Sequence, residues 1–186
     1  MKLTMVTSNA GKAAEVAAFF GGLIEVGHVS IDIPEHRSNN IAEIAKEKAR
    51  YAFGHLNTPL IVDDTGLFID ALAGFPGPYA AYVLNTLGNA GILKLLEGVP
   101  GRDARFITGI AYADEREIRT FTGTLEGQIA HSPRGTNGFG YDPIFETGTR
   151  TLAELSLEEK GRISHRSRAL SSFREWFVAS RGVPSR

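Results

Sequence analysis

The sequence predicts an α/β protein in which helices pack against a β-sheet. In the first third of the chain, short apolar segments alternate with segments whose apolar residues recur at helical spacing. Two β-rich segments further along are separated by a charged tetrapeptide, Asp114-Glu115-Arg116-Glu117, as in an antiparallel hairpin. A hydrophobic fraction of 42%, with 11 Phe and 5 Tyr, supports a packed core. Together these observations indicate helices layered on a sheet.

The elements are expected in the following order along the chain. The predicted strands cover residues 3–6, 23–33, 60–62, 105–112 and 118–129. The first helix begins after an N-cap at Ser8 or Asn9 and carries Val16, Phe19, Phe20 and Leu23 on one face. The other predicted helices cover residues 41–56, 79–96 with a break near Gly88, and 157–179.

Composition excludes several kinds of protein. The absence of cysteine excludes a disulfide framework, a thiolate zinc site and a cysteine nucleophile. The net charge of −1 disfavours a broad cationic face for duplex nucleic acid. No apolar stretch approaches the roughly 18 residues of a membrane span, and the N-terminal apolar run meets polar Ser8 too early for a signal peptide. We therefore expect one cytoplasmic domain, residues 1–186, with no nucleic-acid or membrane partner.

The segment Thr7-Ser8-Asn9-Ala10-Gly11-Lys12 joins the first strand to the first helix. Free backbone N–H groups and the positive end of a helix dipole at such a junction suit a phosphate, and Lys12 adds a charge. The segment is not a Walker A loop, which requires glycine where Val6 stands. An ordinary capped helix with a surface lysine is the alternative interpretation.

Two acids, Asp63 and Asp64, follow the third predicted strand and precede Thr65-Gly66. That position is the carboxyl edge of the sheet, where α/β proteins bind ligands. An acid there can hold Mg²⁺ or orient and deprotonate a water molecule. A turn in which one Asp caps the next segment is the alternative. Glu35 is a further candidate carboxylate, with a solvated loop residue as its alternative.

The Gly-rich segment Phe139-Gly140-Tyr141-Asp142 combines aromatic rings with a carboxylate. Such a loop can place a ring against a base and an acid near the sugar or metal. Gly-x-Gly alone is weak evidence of a ligand site, and a plain turn after a hairpin is the alternative.

A cationic cluster near the last predicted helix consists of Lys160 and Ser164-His165-Arg166. Lys and Arg offer only hydrogen-bond donors, and neutral His offers a donor and an acceptor. The cluster therefore suits phosphate oxygens or base carbonyl groups. A solvated cationic patch is the alternative.

The order of these segments along one short chain resembles the inosine triphosphate pyrophosphatase family, from about Leu3 to Phe177. The resemblance rests on Thr7 to Lys12 followed by Glu15, and then on Asp63-Asp64-Thr65-Gly66-Leu67, Gly74-Phe75-Pro76-Gly77, Phe139-Gly140-Tyr141-Asp142-Pro143 and Ser164-His165-Arg166. It implies a long mixed sheet flanked by helices, two lobes with a central cleft, and a homodimer. It also implies Mg²⁺-dependent hydrolysis of ITP, dITP and XTP to the monophosphate and pyrophosphate, which cleanses the nucleotide pool.

The resemblance also implies roles for particular residues. Asp64 matches the proton acceptor and metal-binding acid, and Glu35 matches a second metal-binding acid. The segment Pro34-Glu35-His36-Arg37 departs from the common Pro-Glu-x-Gln form, so Asp63 is a further metal candidate. Nucleotide-binding positions are matched by Thr7, Ser8, Asn9, Ala10, Gly11, Lys12, Thr65, Phe139, Gly140, Tyr141, Asp142, Lys160, His165 and Arg166.

Donor and acceptor chemistry indicates how such a site selects its base. Hypoxanthine and xanthine carry a 6-oxo acceptor, whereas adenine carries a 6-amino donor. Hydrogen-bond donors from His165 or Arg166 would bind the 6-oxo group of hypoxanthine or xanthine, but they would face the 6-amino donor of adenine unfavourably.

Two other functions remain open at this point. One is a Maf-like pyrophosphatase for other modified nucleotides. The other is a non-catalytic purine nucleotide-binding module, which would keep the Lys12 and Arg166 donors but would have no need for an acid at position 64.

Overall fold

One mixed β-sheet organises the molecule. The structure, a computed structural model, describes residues 2–22 and 24–181. The strands are β1 (Lys2–Val6), β2 (Glu25–Val29), β3 (Leu60–Ile69), β4 (Pro76–Gly77), β5 (Asp103–Ala113), β6 (Ile118–Ile129), β7 (Phe145–Thr147) and β8 (Arg150–Thr151). The helices are α1 (Ala10–Phe20), α2 (Ile41–Leu56), α3 (Ala80–Thr86), α4 (Gly88–Leu95), α5 (Leu157–Ile163) and α6 (His165–Arg181).

The eight-stranded sheet has the order β2-β1-β3-β5-β6-β7-β8, and β4 pairs with β3 off this path. Strand β1 is parallel to both β2 and β3. The remaining pairs, including β3 with β5 and β5 with β6, are antiparallel. The predicted α/β class with a mixed sheet flanked by helices is confirmed.

Alternating side chains divide the first part of the sheet between two helical layers. Ile61 packs with residues of α1 and α6, whereas its neighbours Leu60 and Val62 pack with the alanines of α2. A separate apolar cluster surrounds the far end of β3, where Ile69 meets Val83 of α3. The fold therefore has two lobes along one sheet.

Several predicted elements differ in extent from the observed ones. Strand β2 ends at Val29, because the following residues pair with no strand and form a loop; Leu23, which was expected on the first helix and the second strand, lies outside the described residues. The last helical segment is two helices, because Ser164 has extended backbone angles (φ −66°, ψ 157°). Within residues 2–22 and 24–181, none of the helices combines the length and the apolar character needed to cross a bilayer.

The prediction that Asp63-Asp64-Thr65-Gly66 follows the strand was wrong, because these residues lie inside the ten-residue strand β3. The pairing of β3 with β1 stops at Val62, opposite Val6. Beyond that point β3 continues by pairing with β5, for example Asp64 opposite Gly109. The two acids therefore still lie just past the carboxyl end of β1, and this end of the sheet is open to one side.

Candidate active site

An open cleft of about 1000 Å³ lies beyond the end of β1. Its walls come from the β1–α1 junction, the loop of residues 30–38, helix α2, strand β3 and the region around α3. The residues predicted for the site that line this cleft are Thr7, Ser8, Asn9, Lys12, Glu35, Asp63, Asp64 and Thr65. The β1–α1 junction and the acids of β3 thus face one shared space.

Side-chain caps fix the shape of the β1–α1 junction. Asn9 is the N-cap of α1, and its Oδ1 accepts a hydrogen bond from the backbone N–H of Lys12 at 3.0 Å. The Thr7 hydroxyl oxygen accepts one from the backbone N–H of Asn9 at 3.1 Å. Ala10 and Gly11 begin α1 and are not among the cleft-lining residues. Gly11 packs so closely on the Phe139 ring that a Cβ atom would not fit, so this glycine serves the contact with Phe139.

A lysine of α2 joins the two predicted metal-binding acids. The Lys48 Nζ atom lies 2.8 Å from Oδ1 of Asp64 and 3.3 Å from Oε2 of Glu35. Asp64 is buried (8% exposed), whereas the Glu35 side chain is 82% exposed on its loop. The three groups form a charged cluster on the wall of the cleft.

Burial and pairing act in opposite directions on this cluster. Burial raises the pKa of Asp64, and the positive charges of Lys48 and Lys12 only partly oppose that effect. Burial alone would lower the pKa of Lys48, but the carboxylates of Asp64 and Glu35 raise it. Lys48 therefore keeps its charge, and Asp64 is a stronger base than an exposed aspartate.

Asp63 has a different environment from its neighbour. Its Oδ2 accepts a hydrogen bond from Nε of Arg166 at 2.7 Å, and its Oδ1 forms an ion pair with Lys12. Burial by itself would raise the pKa of Asp63, but the charges of Arg166 and Lys12 hold it well below its usual range. Because the Asp63 side chain has no exposed surface and two cationic partners, these contacts do not favour it as a metal ligand.

Alternating charges continue from Asp63 to the Gly-rich loop. Arg166 pairs with Glu15, Glu15 pairs with Lys160 at 2.6 Å, and Lys160 pairs with Asp142 at 2.5 Å. Asp142 in turn accepts the backbone N–H of Phe139 at 2.8 Å. Burial raises the pKa of Asp142 despite its pairing with Lys160.

The ring of Phe139 covers this chain of charges. Its centroid lies 4.7 Å from Nζ of Lys160 and 5.8 Å from the guanidinium carbon of Arg166, within the range of cation–π attraction. The Gly-rich loop and the cationic cluster predicted separately from the sequence therefore lie together. They are joined to the cleft through Asp63 rather than lining its wall.

Three predicted nucleotide-binding residues have structural contacts of their own. The buried Tyr141 hydroxyl donates to the carbonyl oxygen of Ala80, and the carbonyl of Gly140 accepts from Asn89. His165 is buried and stacks on Phe106 at 4.5 Å between ring centroids. Burial lowers the pKa of His165 well below its usual value, so its ring is neutral.

The model of the Ham1 family matches residues 3–176. The chain belongs to the Ham1 family. It is 52% identical over 184 residues to the dITP/XTP pyrophosphatase of Methanopyrus kandleri, covering 95% of this chain and 96% of that protein. It is 48% identical over 179 residues to the dITP/XTP pyrophosphatase of Thermococcus kodakarensis, covering 95% and 97%.

Solved structures of Ham1 proteins have the same architecture. The Ham1 protein from Coxiella burnetii aligns with a TM-score of 0.83 and 31% identity over 97% of this chain and 100% of that one. The Ham1 protein from Staphylococcus aureus aligns with a TM-score of 0.80 and 34% identity over 96% and 99%. These matches confirm the resemblance and the fold class predicted from the sequence.

The sequence analysis missed two charged residues of this candidate site. Lys48 lies in the helix predicted over residues 41–56 and was given no role, although a lysine on the apolar face that carries Ile44 and Ala52 signals a specific partner. Glu15 was part of the family pattern but was given no function. Its position one turn after Lys12 brings it to Arg166 and Lys160.

Proposed function

We propose that this Ham1 protein is a Mg²⁺-dependent pyrophosphatase that hydrolyses ITP, dITP and XTP to the monophosphate and pyrophosphate. The observation that carries the proposal is the single cleft shared by the β1–α1 junction and the Asp64–Lys48–Glu35 cluster. A nucleotide's phosphates need cationic and N–H donors, and their hydrolysis needs a base, and both lie on this cleft. The names of the relatives, dITP/XTP pyrophosphatase, support the same substrate class.

The donor set fits a magnesium ion. Mg²⁺ is commonly bound by one or two carboxylates together with substrate phosphates, and Asp64 and Glu35 offer two carboxylates that share one lysine. Within the described residues there is no cluster of three or more His, Asp or Glu that would form a complete protein cage. Asp64 and Glu35 would therefore hold the ion, which when bound neutralises charge on the phosphate oxygens.

The residues of the chain then divide the chemistry between them. Asp64 orients a water molecule toward the α-phosphorus and accepts its proton, a role that its raised pKa suits. Lys12 and the polar groups of Thr7, Ser8 and Asn9 hold the departing pyrophosphate oxygens. Lys48 keeps Asp64 ionised and places a second positive charge beside the phosphates.

The base is read by the cluster beneath Phe139. We propose that its ring moves off Lys160 and Arg166 when the nucleotide enters and then stacks on the purine. Arg166 next donates to the 6-oxo group, which adenine lacks. Gly140, Tyr141 and Asp142 hold the loop that carries Phe139, and His165 supports the cluster from within the core.

We also propose the domain organisation, the location and the oligomeric state of the protein. One sheet joins both halves of the site, so we propose that residues 1–186 act as a single catalytic domain, located in the cytoplasm with the nucleotide pool.

We further propose a homodimer. The large exposed apolar side chains of Phe75, Tyr79, Tyr82 and Leu87 favour a protein contact in the region of α3. Sedimentation velocity tests the dimer, and a single monomeric species would contradict it.

A substrate panel tests the proposed activity. Pyrophosphate release is measured from ITP, dITP, XTP, GTP and ATP and from modified pyrimidine triphosphates, with Mg²⁺ and with chelator. We expect rapid release from ITP, dITP and XTP only, and only with Mg²⁺. Preference for a modified pyrimidine would indicate the Maf-like alternative, and tight binding of ITP without turnover would indicate a binding module.

A further inference from the structure

The carboxylate of Asp63 lies between the two ends of the proposed substrate site. Its Oδ2 accepts a hydrogen bond from Nε of Arg166 at 2.7 Å, and Arg166 is the residue proposed to bind the base. Its Oδ1 forms an ion pair with Lys12, the residue proposed to bind the phosphates, and also accepts a hydrogen bond from the Thr65 hydroxyl at 3.3 Å. Lys12 donates as well to the backbone carbonyl of Asp63 at 3.4 Å. One acid is therefore shared by the two cations assigned to opposite ends of the nucleotide.

Asp63 acts only through these partners. Its side chain has no exposed surface, and that of Arg166 is 2% exposed, whereas that of Lys12 is 18% exposed toward the cleft. Both oxygens of the carboxylate are already engaged by donors. A substrate would therefore contact Lys12 directly and Arg166 once Phe139 has moved aside, but it would not contact the carboxylate of Asp63.

The two oxygens of Asp63 do not bind Arg166 equally, because Lys12 occupies one of them. Nε of Arg166 is 2.7 Å from Oδ2, but NH2 of Arg166 is 3.4 Å from Oδ1, the oxygen that Lys12 occupies. NH2 also donates to the Thr65 hydroxyl, at the shorter distance of 3.1 Å. Lys12 thus keeps Arg166 from closing into a symmetrical two-bond pair, and Arg166 in turn limits how strongly Asp63 holds Lys12.

We propose that Asp63 is a positioning residue that couples base recognition to phosphate binding by dividing its carboxylate between Arg166 and Lys12. The inference rests on the proposed function, because it takes Arg166 to read the base and Lys12 to hold the phosphates. Asp63 directs the donors of Arg166, and it also restrains Lys12 so that pyrophosphate is released after hydrolysis.

The Asp63→Asn variant tests the coupling with two measurements. Removing the negative charge frees Lys12, so inorganic pyrophosphate with Mg²⁺ should bind more tightly, by about threefold or more in calorimetry. Arg166 loses its fixed orientation, so the ratio of kcat/KM for ITP to that for ATP should fall by about threefold or more. A generally damaged site would bind pyrophosphate more weakly, which is the opposite direction.

Two matched variants distinguish an effect on base recognition from an effect on phosphate binding. Glu15→Gln removes the charge from a partner of Arg166 and Lys160 that forms no ion pair or hydrogen bond with Lys12 among the described residues, so it should lower the ITP to ATP ratio without tightening pyrophosphate binding. Asp63→Glu keeps the charge and should leave pyrophosphate affinity close to that of the wild type. Tighter binding in Asp63→Glu as well would contradict the role of the charge.

Lys12→Met tests the coupling from the other end if Asp63→Asn does not fold. Without Lys12, NH2 of Arg166 can close on Oδ1, and the ITP to ATP ratio should fall. A lysine that touched only phosphates would slow both substrates equally. An unchanged ratio in Lys12→Met, or unchanged pyrophosphate affinity in folded Asp63→Asn, would overturn the inference. Calorimetry measures binding and does not depend on turnover. If the wild type hydrolysed no ITP but Asp63→Asn still bound pyrophosphate more tightly, only the proposed function would be contradicted.

Discussion

Nζ of Lys48 lies 2.8 Å from Oδ1 of Asp64, although the lysine belongs to α2 and the aspartate to β3. The contact exists because β3 continues past its parallel partner β1, which leaves Asp64 facing the helix and the cleft. Its immediate neighbour Asp63 forms no ion pair or hydrogen bond with Lys48 in the described structure and pairs with Lys12 and Arg166 instead. Adjacent acids on one strand therefore have separate partners, and we assign them separate roles.

Asp64→Asn should abolish turnover while leaving the fold intact. An amide of the same shape cannot accept a proton from the attacking water, and loss of a general base costs about 100-fold or more in rate. Pyrophosphate release from ITP measures the loss, and circular dichroism and urea unfolding check the fold. Asp70→Asn is the control, because Asp70 pairs with Arg105 at the surface. Activity like that of the wild type in Asp64→Asn would remove Asp64 from the role.

Lys48→Met should lower kcat/KM for ITP by about 100-fold, the scale of losing one preorganised charge at a reacting group. Methionine keeps the length of the side chain but supplies no charge to Asp64 or the phosphates. Lys46→Met on the exposed side of the same helix is the matched control and should keep full activity. If both variants lost the same small amount of activity, Lys48 would have only a general electrostatic effect.

Arg166→Ala should raise KM for ITP and narrow the preference for ITP over ATP. The buried position of Arg166 adds a second expected effect, because the variant leaves Asp63 with Lys12 alone and Glu15 with Lys160 alone. Breaking a buried ion pair in this way costs about 3–5 kcal/mol of stability, which urea unfolding would measure. Equal losses on ITP and ATP in the folded fraction would assign Arg166 to phosphate binding instead.

Stability should fall as the pH drops below about 6.5, the usual pKa of histidine, because of His165. The folded-state pKa of His165 is lowered by burial and then by the charges of Arg166 and Lys160, so the unfolded chain binds its proton first. The contribution is complete above the unfolded pKa and is lost toward acid, at up to about 1.4 kcal/mol per pH unit. Urea unfolding at pH 5.5 and 7.5 measures it.

His165→Phe keeps a ring against Phe106 and removes the titrating group, so its stability should depend less on pH in this range. An identical pH dependence in the variant and the wild type would show that other groups cause the acid destabilisation.

Local features of the site were predictable from the sequence because they depend on neighbouring residues. The cap by Asn9 and the α1 helix that follows it were both expected and are both present. The break between α3 and α4 was expected near Gly88 and lies there. The hairpin around Asp114 was expected for the same kind of reason.

Features that depend on distant partners were not predictable in this way. From the sequence, strand β3 is predicted to end at Val62, because acids such as Asp63 are rare in strands, but pairing with β5 extends it to Ile69. The pairing of Asp63 with Arg166 joins positions 103 residues apart. The family resemblance supplied the candidate site residues, while their ion-pair partners required the structure.

Hydrolysis of ITP in ¹⁸O-labelled water with Mg²⁺ tests the central claim most directly. If Asp64 directs water at the α-phosphorus, mass spectrometry will find the label in the inosine monophosphate and none in the pyrophosphate. Label in pyrophosphate, or release of single phosphates in place of pyrophosphate, would contradict the account.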